Sequence, residues 1–331
     1  MKYRIFYTLI LSVGAMLASC SDDDNTVPQP EQPFVMPDKA YVLAEQSRRA
    51  IVIMDAETNR NVWSWDPYTA GIPYSNVELF KNPSEVKPVF NKRYILMTAS
   101  GGAVALIRIA DHKLMFYGNA GQNPHSAEIL PDGNIVTASS TDHLISTFVT
   151  DTVKVFCTAN KTLKLGDAHN VVWDRKRELM YATASVKNSS NENCIGLFSF
   201  KYNNDRNNPQ LTNMTRIYTM EDDRGAHDLF PVFGEDDKLW LTTANNIWKY
   251  DVAGNTFTKT YDLGNIKSIS NSTEGVILLS PTEEWWAEGL INDRGETLFT
   301  LKGAKLYKGR WVVDNTFSYP ETHNFVLGNN E

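Results

Sequence analysis

The sequence predicts an all-β chain and, within that class, a β-propeller: six blades of four antiparallel strands, closed by N- and C-terminal strands that share one blade. Three observations carry this expectation. A strand–turn–strand unit with a polar start recurs along the chain. It is clearest at His125-Ser126-Ala127-Glu128-Ile129-Leu130, with a turn at Pro131-Asp132-Gly133 and a second run at Ile135-Val136-Thr137-Ala138-Ser139. Related units begin at His169 and His227, two more begin without histidine at Glu85 and Lys267, and a degenerate one begins near Lys305. These starts lie 40, 44, 58, 40 and 38 residues apart, a period near forty that suits one blade per unit. Finally, no long stretch holds a helical period, while 14 Tyr and 8 Trp enrich short apolar runs in strand formers. Five or seven blades are the neighbouring alternatives.

In chain order, residues 41–46, 50–55 and 61–66 read as strands, with Ser47-Arg48-Arg49 as a turn. This trio has no inner strand of its own. It is expected to borrow one from residues 305–315, which would remove two open sheet edges. The unit from Glu85 continues through 103–109, after a Gly101-Gly102 turn, to 114–117. That from His125 continues through 144–149 to 153–156. The unit from His169 carries polar insertions, roughly 187–193 and 203–213, which read as surface loops because strand-like sequence resumes at Arg216. The unit from His227 continues through 247–250 to 257–261. The one from Lys267 carries Glu283-Glu284-Trp285-Trp286 directly after its second strand.

Residues 1–19 read as a signal peptide, with Lys2 and Arg4 ahead of an apolar stretch, 5–17, too short to span a bilayer. Leu17-Ala18-Ser19-Cys20 resembles the bacterial lipobox, in which the cysteine is diacylated and becomes the new N-terminus. Ser21-Asp22-Asp23-Asp24-Asn25 resembles the surface-export signal of Bacteroidota lipoproteins. Residues 20–38 then form a lipidated Cys20 and a disordered, acidic and Pro-rich tether, able to reach about 50 Å at roughly 3 Å per residue. A single propeller domain is expected over 39–331. Together the signal, the tether and the repeats resemble the six-bladed propeller lipoproteins of Bacteroidota polysaccharide-utilisation systems. That resemblance implies an outer-membrane, lipid-anchored, surface-exposed protein whose ligand is a glycan. Loss of Lys2 and Arg4 takes the formal charge from −7 to −9, so no nucleic-acid partner is expected. A monomer is expected.

Innermost strands of a propeller line one channel, so starts at a common register form a ring at its mouth. The ring reads Glu85, His125, His169, His227 and Lys267, with Lys305 as a sixth candidate. The three histidines fall on consecutive blades. They could converge on a divalent metal, where zinc would require nitrogens at about 2.0–2.1 Å, or on a substrate carboxylate. Alternatively each imidazole satisfies a buried blade interface. If the ring is catalytic, two chemistries fit: a polysaccharide lyase reaction with His or Lys as base, or glycoside hydrolysis by paired carboxylates drawn from Glu85, Glu128, Glu283 and Glu284. Trp285 and Trp286 could stack on sugar faces. The hydroxyls of Thr98-Ala99-Ser100, Thr137-Ala138-Ser139 and Thr183-Ala184-Ser185 are expected to bond across blades. Cys157 and Cys194, placed in neighbouring repeats, are either a disulfide or two free thiols. Asp151-Thr152-Val153 resembles a short O-glycosylation acceptor of these bacteria. The functional expectation is a surface propeller that binds, and could process, a glycan. The alternative is a non-enzymatic platform for a protein partner.

Overall fold

The computed structural model describes residues 34–151 and 154–319. The expected signal peptide, Cys20 and most of the tether lie outside the described residues, as do Thr152 and Val153.

The first three strands, β1 (Ala40–Glu45), β2 (Ala50–Asp55) and β3 (Arg60–Trp65), pair in order. The second blade is β4 (Pro83–Val89), β5 (Tyr94–Ala99), β6 (Ala103–Arg108) and β7 (Leu114–Asn119). The third begins with β8 (Pro124–Ile129), β9 (Ile135–Ser139) and β10 (Leu144–Phe148). Here the chain departs from the expected order. The next strand, β11 (Phe156–Thr158), crosses back and pairs in parallel with β7 of the preceding blade, and only β12 (Lys161–Lys164) completes the third. The close approach needs Gly118 in β7, since a Cβ there would stand 2.8 Å from the Cys157 carbonyl oxygen. Cys157 therefore sits on the second blade.

The fourth blade is β13 (Asn170–Asp174), β14 (Leu179–Lys187), β15 (Asn193–Tyr202) and β16 (Leu211–Met220). Residues 211–213, expected in a loop, belong to β16 instead. Cys194 lies on β15, and both it and Cys157 are buried free thiols on blades that are not neighbours. The fifth blade is β17 (Asp228–Pro231), β18 (Lys238–Thr242), β19 (Ile247–Asp251) and β20 (Thr256–Tyr261). The sixth is β21 (Ser268–Ser272), β22 (Gly275–Leu279), β23 (Gly289–Asn292) and β24 (Thr297–Thr300). The last strand, β25 (Leu306–Trp311), pairs with β1 as inner strand of the first blade. The molecule is thus a six-bladed β-propeller closed by its two ends.

Period-two alternation explains the packing. Val42 and Ile53 face the second blade with Val86 and Met97, while Leu43 and Val52 turn to the sixth with Leu279 and Leu290. Val171 packs on the third blade with Val136, and its neighbour Val172 on the fifth with Leu229 and Leu241. The remaining interfaces pair Leu96 and Val104 with Ala127 and Ile135, and Trp240 and Ile247 with Ile269 and Leu278. No blade buries both of its faces without its neighbours.

Polar side chains on the inner strands staple blade to blade. Ser84 Oγ donates to the Pro124 carbonyl. Asn170 accepts from Leu229 N at 3.1 Å, Asp228 from Ile269 N at 3.0 Å, and Ser268 Oγ from Gly309 N at 2.9 Å. The hydroxyls of Thr98 and Thr183 join this scheme through Ser84 and Asn170, and Ser139 Oγ donates to the Ala120 carbonyl.

The channel is filled at its centre by charge. Arg310 bridges Glu85 (2.7 Å) and Asp228 (2.8 Å), and Lys308 lies 3.1 Å from each. Lys87 adds a contact to Glu128 at 3.3 Å. All six side chains are buried. Arg310 and Lys308 hold the Asp228 and Glu85 carboxyls below their usual range despite burial. Burial pushes the Glu128 carboxyl up even with Lys87 alongside. Below this layer residues 312–319 cross the exit of the channel. Val312 N donates to the Ala40 carbonyl, Arg175 Nε to that of Thr316, Thr316 Oγ1 to Asp236, and the Tyr319 hydroxyl to Glu128.

Removing one member of the central cluster leaves buried charge uncompensated. Asp228→Asn is expected to cost about 3–5 kcal/mol in urea unfolding. Glu274→Gln, at the exposed pair with Lys39, should change stability by less than about 1 kcal/mol.

Candidate functional site

Each inner strand is entered from the same face, and the residue at its entry is fixed by the second strand of its own blade. His169 N donates to the Thr183 carbonyl, His227 N to that of Thr242 and Lys267 N to that of Leu279. His125 and Tyr307 are the second residues of β8 and β25. These five side chains form a continuous arc around the mouth. The rings of Tyr307 and His125 lie 5.7 Å apart with the hydroxyl 3.3 Å from His125 Nδ1. His125 stacks on His169 at 4.6 Å and 7°. His169 meets His227 edge-on at 6.0 Å, and His227 Nε2 accepts from Lys267 Nζ at 3.0 Å.

Glu85 and Lys305 do not belong to this arc. Ser84, which donates to the carbonyl preceding His125, plays the part that Asn170 plays toward the carbonyl preceding His227. The mouth position of the second blade is therefore Pro83, and Glu85 belongs to the central cluster. On the first blade the position belongs to Tyr307, two residues beyond Lys305. Lys305 Nζ lies 5.1 Å over the ring of Trp286. Tyr307 could have been found by its sequel. The residue after it, Lys308, stands where Asn170, Asp228 and Ser268 stand, each one place beyond its ring residue.

The imidazoles meet, yet not as metal ligands. Ring-nitrogen lone pairs lie in the ring plane, so two rings stacked face to face cannot aim at one ion 2.0–2.1 Å away. Among the described residues no group of three His, Cys, Asp or Glu is placed to hold a metal. His169 Nδ1 lies 3.2 Å from both the carbonyl and a carboxylate oxygen of Asp167, and this contact holds the Asp167 carboxyl below its usual range. His227 Nε2 accepts from an ammonium, so its proton sits on Nδ1, which is buried without a partner. Burial, with Lys267 beside it, pushes His227 down to about 3. Burial and the stacked His169 hold His125 well below the ordinary imidazole value. Lys267 is pushed down to about 8 by burial and by Lys308.

The loop between β22 and β23 leaves on this same face, since Leu279 pairs with Ser268. Trp285 is 41% exposed there, and its Nε1 donates to Gln46 Oε1 at 3.0 Å. Gln46 Nε2 in turn donates to the Pro83 carbonyl. Trp285 is thus tied to the sector of the mouth that lacks a polar side chain, whereas one face of Trp286 is covered by Lys305.

With the geometry in hand, the comparisons place the chain. It belongs to a family of unknown function, DUF6528, whose model matches residues 1–329. No curated protein matches the sequence. Among solved structures it is similar to a protein of unknown function from Bacteroides caccae (11% identity, TM-score 0.52, 86% of this chain and 100% of that one). It is also similar to a chain of the nidogen/laminin complex (13%, 0.56, 83% and 98%) and to Kuenenia stuttgartiensis hydrazine synthase (12%, 0.50, 70% and 68%). At such identities the likeness is one of fold.

Depressed imidazole values in the folded state mean that stability is complete above the unfolded value of 6.5 and is lost as pH falls toward about 3. At pH 5 the loss through His227 is on the order of 2 kcal/mol. His227→Gln should therefore show a smaller drop in thermal midpoint between pH 7 and pH 5 than the wild type.

Proposed function

We propose that this chain is a lipid-anchored, surface-displayed propeller that binds a glycan at the histidine-lined mouth of its channel. One observation carries the reading: Tyr307, His125, His169, His227 and Lys267 gather around a single opening. A sugar needs hydrogen-bonding groups at fixed angles and an aromatic surface for its C–H faces. Neutral imidazoles, a tyrosine hydroxyl and the nearby Trp285 supply both on a rigid frame. Binding is favoured over hydrolysis because Glu85, Asp228 and Glu128 are committed to buried cations, so among the described residues no carboxylate pair in the channel is free to flank a glycosidic bond. The anchor rests on Leu17-Ala18-Ser19-Cys20, and display at the surface on Asp22, Asp23 and Asp24.

His169 is partly exposed, so its truncation opens little cavity. His169→Ala should weaken glycan binding at least about tenfold, with a thermal midpoint within a few degrees of wild type. A glycan array followed by titration calorimetry reads the first quantity. Binding unchanged in the variant excludes the mouth. Separately, Cys20→Ala should move the protein from the membrane to the soluble fraction, and alanine at Asp22, Asp23 and Asp24 should reduce its cleavage by protease added to whole cells.

A further inference from the structure

Among the described residues four cations line the channel, and three are answered by carboxylates. Lys308 and Arg310 share Glu85 and Asp228, and Lys87 has Glu128. Lys267 is the one left over. Its ammonium donates to two neutral acceptors, Asn265 Oδ1 at 2.8 Å and His227 Nε2 at 3.0 Å, and among the described residues no carboxylate pairs with it. It is nonetheless buried, 6% exposed. A buried ammonium without a counter-ion is costly, and an anion that enters relieves that cost. The third Lys267 N–H remains for such a partner. Beside it lies a second donor with none, His227 Nδ1–H.

We propose that the mouth seats one singly charged oxyanion carried on a sugar, and that Lys267 is the residue that selects it. This rests on the reading of the mouth as a glycan site and narrows it to acidic glycans. The pairing sets the class: Lys267 is one cation met only by neutral acceptors, above a cluster of three cations and three carboxylates, while the Asp167 carboxylate is engaged by His169, so a single negative charge is called for. A uronate carboxylate and a sulfate ester both meet that description.

The test titrates the full-length protein in detergent, at low salt, with four probes: oligogalacturonate, its methyl ester, a sulfated galactan oligomer and the unsulfated oligomer. One acidic probe should bind roughly ten- to hundredfold more tightly than its neutral counterpart, and which one it is identifies the oxyanion. Lys267→Gln should erase that preference, while Lys267→Arg should keep most of it. Because Lys267→Gln removes an uncompensated buried charge, its thermal midpoint should be no lower than wild type, so lost selectivity cannot be put down to unfolding. Equal affinity for acidic and neutral probes, or a preference that survives in Lys267→Gln, overturns the proposal. Neutral binding that His169→Ala weakens would leave the glycan site standing and remove only its acidity. Absence of binding to every probe removes both.

Discussion

The structure depends on pairing buried charge across the channel axis. Arg310 reaches from the first blade to Glu85 of the second and to Asp228 of the fifth, and the second and fifth blades stand opposite one another in a ring of six. One guanidinium can touch both only if the channel is narrow there, so the cluster sets the ring's diameter as well as its charge. Lys308 donates to the His125 carbonyl of the third blade, and Lys87 to the Val171 carbonyl of the fourth. Replacing such a cluster with apolar packing often costs little, whereas breaking it is expensive. Its physical effect is therefore specificity: a slip of one residue in β25 would turn both cations to the other face of the strand and away from their carboxylates.

The same cluster gives the mouth its character. Beneath the imidazoles lies neither solvent nor a lipophilic plug, but a paired ionic layer backed by residues 312–319. The channel is thus closed one residue below its mouth and does not run through the molecule as an open pore. Burial keeps His125 and His227 neutral, so the mouth presents them as hydrogen-bonding and aromatic surfaces, not as cations.

Much of this was legible from the residues. The repeat of polar start, turn and Thr-Ala-Ser ending gave the blade period, and the missing inner strand before Tyr41 pointed to closure by the C-terminus. His125, His169, His227 and Lys267 stand where the register of the repeats puts them. The register fails on the two blades whose mouth position is Pro83 or Tyr307. In the second blade the conspicuous Glu85 was taken for the entry residue, when the modest Ser84 makes the blade contact that defines the position. In the first blade the reading rests on Lys305, two residues short of Tyr307, which stands at the mouth. The crossing of β11 to the second blade could not be read either. A parallel three-residue pairing leaves no periodic trace, and Gly118, which permits it, looks like any other glycine in a strand. The ionic cluster is not legible in the sequence, because the partners of Lys308 and Arg310 lie 80 and more positions away.

The closing strand also governs when the molecule can exist. Both cations that neutralise Glu85 and Asp228 arrive on β25, the last strand of the ring to leave the ribosome. Until then the two carboxylates have no reason to converge, and their mutual repulsion works against a ring that closes early on five blades. The finished ring is locked by the charges that β25 brings. Closure of the ring thus waits on the order in which acid and base are synthesised.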